Sequence, residues 1–321
     1  MPIPPDWSQR LSEFVGKWDS NKPEYQGTNS FDKFVVTERA TSWDQFVGWL
    51  NELQGPWCFR GQREAEWSLQ SSLDRRRKKD WASDDPTTGF KGSGYYHLDR
   101  GPLERELLFR FQQQAHRYVA NPPPDDDLSS WLALMQHHGV PTRFLDWTKS
   151  PYVAMYFALE EKPQEKCAAV WAVDLDWLEK KGHELLGSEA GTLASHDSGN
   201  RAEAVNRLLL SGCKNPRIVR VSPARIDERM AAQQGLFLCP VAAQGISDAV
   251  FFTTALMSMM VHLGIPDQPI VRKLEVGSDL RIEFLKKLRD MNIHRSLLFP
   301  GLDGFGQSLR LDLEIKVETE P

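Results

Sequence analysis

Most side chains able to do chemistry gather in one stretch, residues 128–161, LSSWLALMQHHGVPTRFLDWTKSPYVAMYFALEE. His137, His138, Thr142, Arg143, Asp146, Thr148 and Ser150 fall there, in the connection between two apolar segments. A histidine or a carboxylate at such a place can move a proton, while an arginine or the free N–H groups of a helix start can hold an anion. Two smaller groups lie elsewhere. In WCFRGQ, Arg60 can face an anion while Gly61 permits close approach to the backbone. In RMAAQQGLF, Gln233 and Gln234 can hydrogen-bond a ligand or satisfy the carbonyls of a turn. Each residue also has a structural use: Arg60 as the partner of a buried carboxylate, a histidine as the cap of a helix C-terminus, Ser150 as an N-cap. His138 continues the apolar stripe of the preceding segment and His137 does not, and the pattern leaves open which of them lines a cleft.

The surrounding pattern says how these residues are positioned. Ser42-Trp43-Asp44-Gln45 has the form of a capping box, and Phe46, Trp49, Leu50 and Leu53 follow at helical spacing up to Gly55-Pro56. That helix delivers the chain to a short strand, Trp57-Cys58-Phe59, ending in Arg-Gly. Residues 103–119 read as a helix with Leu103, Leu107, Phe111, Ala115 and Tyr118 on one face. Leu128, Trp131, Leu132 and Met135 form the buried stripe of another, which stops at Gly139 with Pro141 beyond. Residues 143–147 alternate as a half-buried strand, and Ser150-Pro151 then supplies an N-cap and a first-turn proline for an apolar helix. Strands are expected at 168–173, 217–221, 236–238 and 269–276, with helices at 202–210 and from a capping Ser278 to 291. Residues 251–260 are apolar enough for core or a partner surface.

The chain has 321 residues, 40% hydrophobic and 26% charged, and a net charge of −5. Such a balance suits a globular protein and gives no general attraction to nucleic acid or anionic lipid. The run Arg75–Lys79 is diluted by nearby aspartates and reads as a solvated face. Cys58, Cys167, Cys213 and Cys239 are widely separated, with no metal-ligand spacing, as expected for reduced thiols in a cytoplasmic protein with no metal and no membrane contact. Residues 1–34 read as an N-terminal arm, 35–321 as a single domain, and 73–102 as an insertion within it.

FRG at 59–61, QHHGVPTRFLDWTKSPYVAMYFA at 136–158, RMAAQQGLF at 229–237 and LFPGLDGFG at 298–306 together resemble the FRG domain family, over roughly residues 40–310. The resemblance implies remote similarity to ADP-ribosyltransferases, hence an α+β fold with a mixed, split β-sheet core and flanking helices. It also implies NAD as cofactor. Arg60 would hold the diphosphate or nicotinamide ribose, with Gly61, Thr142, Arg143, Thr148, Ser150 and Gln234 in the binding set. Catalysis would fall to His137, His138, Asp146 and Gln233, because the Gln233-Gln234-Gly235 turn offers no carboxylate where such enzymes place a glutamate. The expected activity is ADP-ribosyl transfer to a protein or nucleic acid, in a bacterial toxin or phage-defence effector with an antitoxin or regulatory partner. The alternatives are a non-catalytic nucleotide sensor and a metal-independent nuclease or hydrolase using the His/Asp group.

Overall fold

The computed structural model describes residues 9, 11–13, 35–75, 100–164, 167–184, 198–213, 216–223, 227–241, 252–264 and 266–319. Most of the N-terminal arm and of the insertion at 73–102 lies outside them. The described residues form a mixed α/β fold around a seven-stranded sheet. In chain order the elements are β1 (Val36–Ala40), α1 (Trp43–Asn51), β2 (Trp57–Gln62), α2 (Arg100–Ala115), α3 (Leu128–His137), β3 (Leu145–Thr148), α4 (Pro151–Leu159), β4 (Cys167–Asp174), α5 (Leu175–Glu184), α6 (Ser198–Ser211), β5 (Arg217–Val221), α7 (Glu228–Ala232), β6 (Gly235–Val241), α8 (Phe252–Leu263), β7 (Val271–Gly277), α9 (Arg281–Asp290), α10 (Arg295–Leu298) and α11 (Leu302–Thr319). The sheet order is β1-β7-β4-β2-β3-β6-β5, with β1 and β7 parallel and every other neighbouring pair antiparallel.

Alternation along the strands sorts the core into layers. One face carries Cys58, Leu145, Trp147, Trp171, Leu236 and Leu238, and α5 and the apolar α8 cover it. Residues 251–260, open between core and partner surface in the sequence, are thus core from Phe252 on. The opposite face is covered in two halves. Over β1, β7, β4 and β2 lie α1, α4, α9 and α11, and over β6 and β5 lie α3 and α6. The two halves meet above β3, which puts Asp146 at the seam.

Local chemistry explains most elements. The Ser42 hydroxyl accepts from Gln45 N (3.3 Å), while Gln45 Oε1 accepts from Thr41 N (2.8 Å), so the reciprocal half of the capping box is displaced by one residue. Gly139 takes φ +78° after α3, as its predicted capping role requires. Ser150 Oγ accepts from Val153 N (3.3 Å) and Pro151 opens α4. That helix is apolar nearly all round and is buried accordingly, and Arg281 donates to its terminal carbonyls at Leu159 (2.7 Å) and Glu160 (2.8 Å).

Three expectations are corrected. β2 does not end at Arg-Gly but runs on to Gln62, because Arg60, Gly61 and Gln62 remain paired with Trp171, Val170 and Ala169 of β4. β3 begins at Leu145 rather than at Arg143, since the N–H groups of Arg143 and Phe144 are taken by Glu104 Oε1 (3.1 Å) and Thr142 Oγ1 (3.2 Å). Ser278 opens a 3₁₀ turn, Ser278–Leu280, and α9 follows from Arg281 with no side-chain cap.

Candidate functional site

β2 and β3 pair at a single point, Phe59 opposite Thr148, and then separate. The separation exposes carbonyls on β3 that no strand can satisfy, and a buried unpaired carbonyl is costly. Arg60 resolves this. Its Nη1 donates to Asp146 O at 2.6 Å and lies 4.0 Å from Asp146 Oδ2. The side chain is only 11% exposed, and burial pulls its pKa down to about 10 against the opposing attraction of Asp146. Arg60 is therefore a strut in the split of the sheet, and it leaves positive charge directly behind the Asp146 carboxylate.

Gly61 has a different function from the close ligand approach its sequence context suggested. A Cβ there would stand 2.0 Å from Ala154 O and 2.6 Å from Ala158 N, so the space is filled by the backbone of α4. The glycine sets the spacing between β2 and the central helix.

Asp146 is the exposed member of β3, at 68%. Gln136, in the last turn of α3, donates to Asp146 Oδ1 through Nε2 at 2.6 Å. Gln136 is itself oriented by Thr142, whose hydroxyl donates to Gln136 Oε1. Thr142 is fully buried, and its N–H donates to Ser72 Oγ at 3.1 Å. A relay of hydrogen bonds thus runs from Ser72, which opens the short helix Ser72–Arg75, through Thr142 and Gln136 to one oxygen of Asp146, and Arg60 faces the other. The carboxylate is thus held by side chains from β2 and α3, and Thr142 and Ser72 fix the one from α3.

Above Asp146 opens a cavity of about 790 Å³. Its walls include Gln136 and His137 from α3, Asp227, Arg229 and Gln233 around α7, Phe237 from β6, and the prolines at 122–124. His137 Nδ1 lies 2.9 Å from Asp227 Oδ2, and Asp227 also caps α7 by accepting from Met230 N at 2.7 Å. This pair fixes the imidazole with Nε2 as its remaining polar atom, the arrangement in which a histidine serves as a positioned base. Arg229 places its guanidinium 4.4 Å from the Phe299 ring.

The other residues singled out in the sequence are placed as follows. His138 is not among the cavity-lining residues; its ring lies against Phe111 (6.4 Å) and His137 (4.8 Å), and burial together with His137 holds its pKa below the ordinary value. Arg143 turns away to Glu104, a nearly buried carboxylate that accepts from its Nε at 2.6 Å. Thr148 and Ser150 are buried: the Thr148 hydroxyl donates to Gln233 O (2.7 Å) and accepts from Ser150 N (3.0 Å). With Ser150 capping α4, these two residues serve the strand-to-helix turn. Gln233 lines the cavity, but its Nε2 donates to Leu298 O at 2.9 Å, leaving Oε1 to present. Gln234 adopts φ +48° and contributes its carbonyl to Lys149 N (3.0 Å). The cavity therefore unites His137, Asp146 and Gln233, with Arg60 behind Asp146. It adds Gln136, Asp227 and Arg229, which the sequence reading did not single out. Only Asp227 had a local signal, as an N-cap aspartate before a helical turn.

Residues 55–167 match the family described as FRG domain. The matched span opens just before β2 and closes as β4 begins, and it contains Arg60, α3, β3 and α4. The span is narrower than the 40–310 expected: α7, β6 and LFPGLDGFG lie beyond it, so the match covers one wall and part of the floor of the cavity. No curated protein and no solved structure matches the chain. Among the described residues no helix is long and apolar enough to cross a membrane.

Proposed function

We propose that the cavity over Asp146 binds the ribosyl end of NAD and transfers ADP-ribose from it, in an ADP-ribosyltransferase-like manner. The observation that carries this reading is the carboxylate of Asp146, exposed on the floor of a nucleotide-sized cavity and held by Gln136 and Arg60. It supplies the negative charge that the Gln233-Gln234 turn lacks. The lining fits this end of the molecule best. Asp127, Asp146 and Asp227 outnumber Arg229 and His137, which favours a cationic ring and ribose hydroxyls over phosphates, and Arg229 is the lining cation available to a diphosphate. When bound, NAD would supply an activated ribosyl carbon whose leaving group departs as neutral nicotinamide. Asp146 would stabilise positive charge developing on the ribose, and His137, held by Asp227, would take the proton of the acceptor hydroxyl or water.

Nicotinamide release and label transfer from labelled NAD, with cell lysate as acceptor, test the proposal. Asp146→Asn and His137→Ala are expected to lose the signal while unfolding at the wild-type temperature. A wild-type protein that gives neither product counts against transfer.

The His137–Asp227 pair favours a second reading, a hydrolase or nuclease in which His137 activates water without a metal. RNA or DNA cleavage without NAD, abolished by Asp227→Asn, would select it.

A further inference from the structure

The segment LFPGLDGFG lies beyond the matched span, yet it reaches the cavity through one ring. Phe299 has two guanidiniums over it, Arg229 at 4.4 Å and Arg295 at 4.3 Å from the ring centroid. The two arginines are not equivalent. Arg295 is paired with Glu160, just past the end of α4, so its charge is offset and two guanidiniums can share one ring. Arg229 has no salt bridge among the described residues, and of the two it is the one that lines the cavity. It belongs to α7, a single helical turn with no buried residue of its own. A guanidinium on so small an element, with no carboxylate to fix it, would sample many rotamers, and the Phe299 face restricts it by cation–π attraction.

Phe299 is itself held in place. Its N–H donates to Arg295 O (2.8 Å), and Phe157 of α4 meets its ring edge to face at 5.9 Å. A Cβ at Gly304 would overlap Phe299 O, so the first turn of α11 sits directly on this residue, and Gly301 (φ +119°) makes the turn between them. The preceding carbonyl, Leu298 O, accepts from Gln233 Nε2 (2.9 Å), which ties the end of α7 to the same dipeptide. We propose that Phe299 is a positioning residue, holding Arg229 at the cavity as the contact for the diphosphate of the ligand. The inference rests on the reading of this cavity as an NAD site, and it makes the segment 295–304 part of that site. Asp127, Asp146 and Asp227 line the same cavity and repel phosphate, so an arginine held in advance gains where one that must first be ordered does not.

Calorimetric titration of the full chain with NAD, inorganic pyrophosphate and nicotinamide riboside, which has no phosphate, tests this. Phe299→Leu and Phe299→Met, which fill the site without a ring, should weaken NAD and pyrophosphate about threefold to tenfold and leave nicotinamide riboside unchanged. Phe299→Tyr should keep the wild-type affinities, and Phe299→Leu should have no further effect in Arg229→Gln. Phe157→Leu, which removes the neighbouring ring, should lower the unfolding temperature without changing pyrophosphate affinity. Full pyrophosphate affinity in either folded Phe299 variant, an equal loss of nicotinamide riboside, or the same loss in Phe157→Leu would overturn the proposal. So would a wild-type protein that binds neither pyrophosphate nor NAD. The two readings fail separately. Asp146-dependent NAD binding that ignores Phe299→Leu removes this inference alone, whereas pyrophosphate binding that depends on Arg229 and Phe299, without NAD binding, sustains it and removes NAD.

Discussion

Replacing Gly61 by alanine would place a methyl group 2.0 Å from Ala154 O and 2.6 Å from Ala158 N. Both are main-chain atoms of α4, so no flexible side chain can move aside. To restore ordinary contact the helix must lift from β2 by more than an ångström, loosening its packing on Phe59, Val170 and Ala172. Overpacking of a well-filled core costs about 1–3 kcal/mol, and a backbone neighbour puts this site at the upper end. Alanine recovers up to about 1 kcal/mol by restricting the unfolded chain, which leaves a net loss of about 2 kcal/mol or more. At roughly 2–4 °C per kcal/mol the midpoint falls by about 4–8 °C. Urea and thermal unfolding followed by tryptophan fluorescence measure it. Gly48→Ala is the control, since Gly48 lies in α1 with nothing within 4 Å of the added methyl and should stabilise by about 0.5–1 kcal/mol. If Gly61→Ala unfolds within about 0.5 kcal/mol of wild type, the spacing argument fails. Unchanged unfolding combined with weakened nucleotide binding would restore Gly61 to the ligand.

Arg143→Ala strands the nearly buried Glu104 without its main partner and should cost about 3 kcal/mol, read as a lower urea midpoint with an unchanged slope. His138 is held below its ordinary pKa, so the folded state disfavours its protonation. Stability should therefore fall as pH drops through the ordinary histidine range and level off below the folded pKa, and this dependence should be weaker in His138→Gln. Gln136→Leu removes the donor to Asp146 Oδ1 while keeping side-chain bulk, and should weaken ligand binding about tenfold or more, measured by titration, with a smaller effect on unfolding.

The local elements were legible because their signals are local. Ser42, Gly139 and Ser150-Pro151 mark helix ends through contacts within a few residues, and the apolar stripe of α3 is read directly from its spacing. The roles of single residues were not legible, because they depend on partners far along the chain. Arg60 meets a carbonyl 86 residues away, Arg143 meets a glutamate 39 residues before it, and Gly61 meets a helix almost a hundred residues later. Gln136 was the least visible: it lies beside two histidines that draw attention, yet the side chain bonded to Asp146 is the glutamine. α7 is a single helical turn, too short for periodicity to show, and it brings Asp227 to His137. The candidate site is thus half local pattern and half long-range pairing.

The most direct test of a ribosyl-binding site over Asp146 is a calorimetric titration of the purified protein with NAD, run beside Asp146→Asn. Saturable binding by the wild type, reduced at least tenfold in a fully folded Asp146→Asn, is the result the proposal predicts. No heat of binding at millimolar NAD, or equal binding by both proteins, would contradict it.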